Sequence, residues 1–501
     1  MRLVFCFLIL GVAADLSLGV RCSQAQFGGV LEGLNDRLRE TEQRIKEMRE
    51  RGAADREEME QTLRGFPGAL GQNPEPAPAN QPWNEDPQAA TAGLRITPGP
   101  LMQSQGERWR VRDDEGGSVV ARHHVTIGSS RIALMPDGTL KSFTDGDVSP
   151  TTDAFEPLDM DRLQAKLLAD PKLADFQAIR SRRFLYLHNA SELFVKSART
   201  IMESMYPAVR KYFSRSAVDV HEPELPLVVI AFATEQEFQD YRRMPRGVVA
   251  YYDAITNAVY LYEQSEMSKH APEIAVKNAI STIAHEGAHQ ILHNIGVQQR
   301  LSRWPLWLSE GLAEFYAPTS VGRGIRWSGL GATNELRMFE IENDWTENRT
   351  TTRPATIDRI VTADSLDSLD YAYSWSLIHM MSKRHQNELF ACIRDCSGLK
   401  PFEGTALAQG SETDPEAVYR RHITQSDAEI AEELTKHLKS LNYVNPIANQ
   451  THYLIVAGSR VYLTSSPERV REIRSTAFGR FQVKEFPNRA LAEQAMAEMT
   501  R

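Results

Sequence analysis

The stretch "STIAHEGAHQILHNIG", residues 281–296, sets three histidines at intervals of four, with one glutamate directly after the first. Pro272 and Glu273 suit the start of a helix and Gly296 suits its C-terminal cap, so a helix is expected over 273–293. On it, His285 and His289 lie one turn apart on one face. Two imidazoles so placed can both reach one Zn²⁺ at about 2.1 Å. Glu286 sits about 100° round the helix, offset from the ligands and facing a metal-bound water, where it can act as general base. His293 shares the face, but two turns carry it roughly 12 Å from His285, too far for one ion to bind all three. A helix with satisfied core or surface histidines is the bland alternative, since short motifs also arise by chance.

A catalytic zinc needs a third protein ligand and an open position. "RWPLWLSEGLAEFYAP", residues 303–318, supplies a candidate. Trp307 to Tyr316 reads as a helix with Glu310 and Glu314 four apart. Glu310 can turn back towards the histidines as third ligand, and Glu314, one turn on, can hydrogen-bond a ligating histidine. A solvent-facing acidic stripe is the competing reading. Trp304, Trp307, Leu308, Leu312 and Phe315 around the pair argue for burial instead.

Outward from this core, "RFLYLHN", an amphipathic helix over 191–214, "PLVVIAF" and a short helix over 234–243 alternate strand and helix. "GVVAYYDAITNAVYLYEQ" reads as a hairpin turning at Thr256-Asn257. After 305 the chain is mostly helical to about 440, and 452–500 reads as a ββαβα unit. Before it all, 106–148 shows short alternating runs with a hairpin turn at Asp137-Gly138. His123 and His124 there point to opposite faces of a strand and are expected at the surface. Residues 67–105 form a Pro-rich linker. Residues 30–64 carry a short heptad of Leu31, Leu34, Leu38, Ile45 and Met48, which could pair two chains into a homo-oligomer or remain a solvated charged segment. The resulting plan is a leader at 1–25, a polar helix at 26–66, the linker, a β unit and connector at 106–180, a main domain at 181–440 and an α/β unit at 441–501.

With 501 residues the chain is too long for one ordinary domain. Its net charge of −9 argues against nucleic acid as the main partner. The apolar run Leu3–Ala14, followed by "SQA" at 23–25, fits a cleaved signal peptide, and is too short to span a bilayer. An extracytoplasmic, periplasmic or secreted protein with no remaining membrane span is expected, with residues 26–180 a candidate pro-segment over the cleft. In that setting Cys392 and Cys396, in "CIRDC", are either a local disulfide or two buried thiols. Two thiolates alone do not complete a zinc site.

H-E-x-x-H followed some twenty residues on by W-L-S-E-G-L-A-E resembles the gluzincin metallopeptidases, the class of thermolysin and the large aminopeptidases. It also resembles, more narrowly, the peptidase-MA-like exported bacterial proteins of domain of unknown function 1570, over roughly 182–385. The resemblance implies an α+β, zincin-like domain, with a mixed sheet and active-site helix followed by a helical subdomain. It implies one zinc per chain on His285, His289 and Glu310, Glu286 as base, and a peptide or protein substrate. Gluzincins often place an oxyanion-binding tyrosine about sixty residues past the third ligand. In "DYAYSWSLIHMM" that position falls to Tyr371, with Tyr373 the alternative. The metzincin pattern fails, because Leu292 and Ile295 stand where it needs Gly and His. The acidic amine-binding motif of aminopeptidases is missing upstream, which favours endopeptidase or oligopeptidase action. A catalytically silent zinc-containing envelope binding or assembly protein on the same scaffold is the alternative function.

Overall fold

The computed structural model describes residues 93–499, less 103–105, 114–115, 216–217, 246–247, 265–271, 322–324, 349–350, 410–416, 445, 447–450, 459, 477–480 and 488. The leader, the heptad segment and most of the linker lie outside the described residues.

Six strands open the described chain: β1 Leu101–Met102, β2 Arg108–Arg112, β3 Ser118–Ile127, β4 Ser130–Leu134, β5 Leu140–Phe143 and β6 Ser149–Pro150. They form an antiparallel sheet in the order β5-β4-β3-β2-β6, with β1 also on β3. Asp137-Gly138 makes the expected turn, with Gly138 at φ 89°. The expectation of surface roles for His123 and His124 fails. A register shift between His123 and Val125 breaks the simple alternation. His123 packs on Trp109 and pairs Nε2 with Thr126 Oγ1 at 2.9 Å. His124 Nε2 lies 3.0 Å from the Arg300 carbonyl, and burial with Arg300 nearby pushes its pKa down to about 4.

Arg300 joins this sheet to the main domain. Its guanidinium donates to the carbonyls of Gly138, Ala254 and Ile255, and Leu140 N–H donates to Ile255 O. Val125, Ile127, Leu140, Ile255 and Phe402 share one apolar cluster across the join. The candidate pro-segment is therefore in part a built-in layer. Its last piece, β7 Gln177–Arg180, is a strand of the main sheet, which starts four residues before the boundary expected at 181.

That sheet continues with β8 Phe184–His188, β9 Leu227–Thr234, β10 Ala250–Asp253 and β11 Ala258–Gln264, in the order β10-β11-β9-β8-β7. β9 runs parallel to β8 and β11; β7 and β10 are antiparallel edges. The near-continuous apolar strands follow from burial on both faces. Phe184, Tyr186, Val229, Ala231, Val259 and Leu261 face helices α2 Glu192–Phe213 and α4 Pro272–Asn294. The alternate residues Leu185, Leu187, Val228, Ile230 and Tyr260 face Leu163 of α1 Met160–Leu168 and Phe238 of α3 Glu235–Tyr241. Side chains at Ser191 and Thr234 cap α2 and α3.

Downstream come α5 Leu306–Tyr316, a hairpin of β12 Thr319–Val321 and β13 Ile325–Trp327, then α6 Glu335–Asn348, α7 Pro354–Val361, α8 Ser368–Arg384, α9 Gln386–Ser397, α10 Ala417–His422 and α11 Asp427–Ser440. The α5 residues from Leu306 to Phe315, other than Glu310, are buried, and α8 is buried from Ala372 to Met381, so these two helices form the centre of the helical part. The chain closes with β14 His452–Ala457, β15 Arg460–Thr464, α12 Pro467–Thr476, β16 Phe481–Phe486 and α13 Arg489–Met499, the expected ββαβα order, with β14 central. The fold is mixed α+β. Among the described residues no helix is long and apolar enough to cross a membrane.

Candidate metal centre

Helix α4 brings His285 and His289 to its open face, and α5 crosses it to deliver Glu310. His285 Nε2 lies 3.1 Å from Glu310 Oε2, His289 Nε2 lies 3.4 Å from the same oxygen, and the two Nε2 atoms are 3.3 Å apart. Tetrahedral donors about 2.0–2.1 Å from one ion stand about 3.3 Å from each other. The side chains therefore meet at the spacing a zinc ion needs. They are also the one group among the described residues whose donors converge in this way. Each keeps 12–15% of its side chain exposed, so the cluster is not sealed from solvent.

The electrostatics suit a cation. Burial alone would lower the pKa of the His285 imidazole, but the carboxylates of Glu310 and Glu314 overcome it and hold it well above the usual value. Burial would raise that of Glu310, yet His289 and His285 pull it far below the carboxylate range. The cluster stabilises positive charge between its imidazoles and its carboxylate, and a divalent cation supplies more of it than a proton. Burial pushes Glu286 upward against the pull of the histidines. Its Oε2 accepts from the Tyr252 N–H of edge strand β10 at 2.8 Å.

Glu314 stands beside His285. Its Oε1 is 3.2 Å from His285 Nδ1, short of good hydrogen-bond alignment but in contact. Tyr371 lies beside the cluster, its ring centroid 6.2 Å from that of His285. Tyr373 does not. Two residues on along α8 it points elsewhere and donates to Asp344 Oδ2 at 2.6 Å, which removes it as an alternative oxyanion donor. His293 stacks on Tyr252 and pairs Nδ1 with the Gln298 carbonyl at 3.2 Å; burial takes its pKa down to about 3. Tyr251 and Tyr260 stack on each other as strand aromatics. Cys392 and Cys396 are free thiols, not a disulfide. Adjacent turns of a regular helix hold their Cα atoms near the upper limit for a bridge. Burial pushes the Cys392 thiol up to about 12, and Cys396 higher still.

Three participants were not foreseen. The Tyr252 amide is backbone and carries no sequence signal. Asn334 donates Nδ2 to Glu314 Oε2 at 2.8 Å, and Arg337 donates Nη2 to Oε1 at 2.7 Å. The available clue was Arg337 and Glu340 interleaved with Met338, Phe339 and Ile341, charges on a helix face that must be buried.

Two motif glycines bring the helices together. A Cβ on Gly287 would press into Met202 and reach Met205 Cε at 2.9 Å. One on Gly311 would stand 2.8 Å from both the Ser374 carbonyl oxygen and Ile378 Cγ1 of α8.

No curated protein matches this chain. A domain described as a protein of unknown function (DUF1570) is found at residues 279–403, the segment that carries His285, Glu286, His289, Glu310, Glu314 and Tyr371.

Proposed function

We propose that the protein is a metallopeptidase of the gluzincin type, with a zincin-like catalytic domain that holds one zinc ion on His285, His289 and Glu310. The observation that carries this reading is the convergence of three donor atoms at 3.1–3.4 Å with Glu286 directly beside them. The mixed sheet with an antiparallel edge strand along the motif helix supports it. Bound there, zinc supplies a Lewis acid that polarises a carbonyl and makes a water molecule more acidic.

The chain's own residues do the rest. Glu286 takes a proton from the attacking water and passes it to the leaving amine nitrogen. Its raised pKa matches that double duty, and the Tyr252 N–H fixes the carboxylate's position. Tyr371 donates its hydroxyl hydrogen to the carbonyl oxygen as charge develops there. Just before β10 the Val249 carbonyl accepts from the Tyr262 N–H, and on β10 the outward Tyr252 N–H is taken by Glu286, so Ala250 presents its backbone to the outer edge. An extended peptide adds there as a strand. The Leu3–Ala14 run supports a place of action outside the cytoplasm.

The test joins metal analysis to unbiased peptide-library cleavage. The wild type is expected to carry about one zinc per chain and to cleave. Glu286→Gln should keep the metal and lose cleavage. Equal cleavage by the Gln variant overturns the role of Glu286. Stoichiometric zinc with no cleavage by the wild type replaces the reading with a silent zinc-containing binding protein.

A further inference from the structure

The donors of the cluster come from α4 and α5, yet the charges behind them are organised from α6. Arg337 is the third residue of that helix, and Asn334, directly before the helix, accepts the Arg337 N–H on its side-chain oxygen at 3.3 Å. The guanidinium spans two buried carboxylates. Nη2 holds Glu314 Oε1 at 2.7 Å, and Nη1 holds Glu340 Oε2 at 3.0 Å and Ser368 Oγ at 3.1 Å. Its Cζ lies 5.4 Å from the centre of the Tyr371 ring.

We propose that Arg337 is a positioning residue that fixes the orientation of His285 through Glu314 and holds the Tyr371 ring beside it. This rests on the metallopeptidase reading for what the cluster binds. A carboxylate can hold a ligating imidazole in one tautomer only if it stays an acceptor. Glu314 is buried, and donors take both of its oxygens: Arg337 Nη2 at 2.7 Å on Oε1 and Asn334 Nδ2 at 2.8 Å on Oε2. Glu314 then keeps the proton of His285 on Nδ1 and leaves the Nε2 lone pair turned towards His289 and Glu310. The same cation under the Tyr371 ring stabilises the ring's position and makes its hydroxyl a better donor.

The test uses the full chain with Arg337→Met, and with Arg337→Met combined with Glu340→Gln so that Glu340 is not left charged and unpaired. Zinc affinity is read by competition with a chromophoric chelator, and the side-chain nitrogen resonances of the histidines by NMR on metal-free protein. Affinity should fall on the order of 10–100-fold in both variants. The His285 nitrogen signals and the Tyr371 ring-proton signals should move, while those of His379 and His437, a buried pair elsewhere on α8 and α11, stay. Arg337→Lys, which offers one point donor in place of a fork, should recover part of the affinity. Unchanged zinc affinity with an unmoved His285 signal overturns the proposal, as does an equal disturbance of all three histidines, which a purely structural role would give. If the wild type takes no zinc, the metallopeptidase reading falls, and the His285 signal in metal-free protein still decides the role of Arg337.

Discussion

Two pairs of metal-ligating residue types stand four apart on buried helices of this protein, and they end differently. His285 and His289 turn their Nε2 atoms to within 3.3 Å of each other and meet a carboxylate from a crossing helix. Cys392 and Cys396 share the same spacing on α9, but the carbonyl of Val418 is what faces Cys392, 3.9 Å away, and burial keeps both thiols protonated. The helix period creates a face, and only a second element bringing a complementary charge turns that face into a site. A third pair sharpens the rule. His379 Nδ1 and His437 Nε2 lie 2.8 Å apart, but among the described residues no carboxylate joins them in a metal-sized group, and the second nitrogen of His379 meets the Gly331 carbonyl.

The largest effect should come from removing the crossing charge. Glu310→Ala is predicted to take the protein from about one zinc per chain to nearly none, because two imidazoles alone are a weak site. Replacing both Cys392 and Cys396 by Ala should leave the zinc content untouched. Metal analysis of the two variants checks this, and zinc loss in the cysteine variant would break the comparison.

Next in size is the contrast between Tyr371, whose ring lies beside His285, and Tyr373, whose hydroxyl donates to Asp344, two residues apart on α8. Tyr371→Phe should lower kcat by 10²–10³, about 3–4 kcal/mol, as removal of one oxyanion donor does. Tyr373→Phe should leave kcat alone and cost about 1 kcal/mol of stability through its lost bond to Asp344. Steady-state kinetics and denaturant melts separate the two.

The two carboxylates on Arg337 differ as well. Glu314 is held down at about 2, whereas burial pushes Glu340 up to about 7. A carboxyl whose folded pKa lies above its unfolded 4.5 keeps its proton in the folded state when the unfolded chain has already lost it. Stability from Glu340 therefore declines as pH rises from 4.5 to about 7. Glu340→Gln removes that decline. Measured on metal-free protein, the variant should gain on wild type as pH rises through this window, by up to about 3 kcal/mol. A stability difference that is flat with pH would show that Glu340 is charged throughout.

Much of the candidate site was legible in the sequence, for identifiable reasons. His285, Glu286 and His289 follow from the helical period, and Glu310 from the need of two imidazoles for a third donor. The central sheet and the C-terminal ββαβα unit follow from apolar patterning. Tyr371 was reachable only through resemblance. The Tyr252 amide was not legible, and the apolar neighbours of Arg337 hint only at its burial, since neither spacing nor composition says that α6 or an edge strand will stand behind the cluster. His124 was misread because its partner, the Arg300 carbonyl, lies 176 positions away and a bulge shifts the strand's alternation.

The smallest predicted effect separates the two glycines that frame the motif. On sequence they look alike, one in H-E-G-A-H and one in S-E-G-L, each on a helix where Ala should gain about 1 kcal/mol in propensity. Their neighbours decide the outcome. At Gly311 the obstacle is the Ser374 main-chain carbonyl together with the branched Ile378, and neither can yield without moving α8. Gly311→Ala should therefore cost about 1–3 kcal/mol net and weaken zinc binding by displacing the adjoining Glu310. At Gly287 the obstacles are the thioether ends of Met202 and Met205, which can rotate away. Gly287→Ala should come out within about 1 kcal/mol of wild type, as propensity and repacking offset each other. Denaturation midpoints for the two variants, with zinc removed, give the ranking directly. A larger loss at Gly287 would mean that α2 grips α4 more rigidly than methionine packing allows, and that the ligand helix is braced from behind as firmly as Glu310 is from α8.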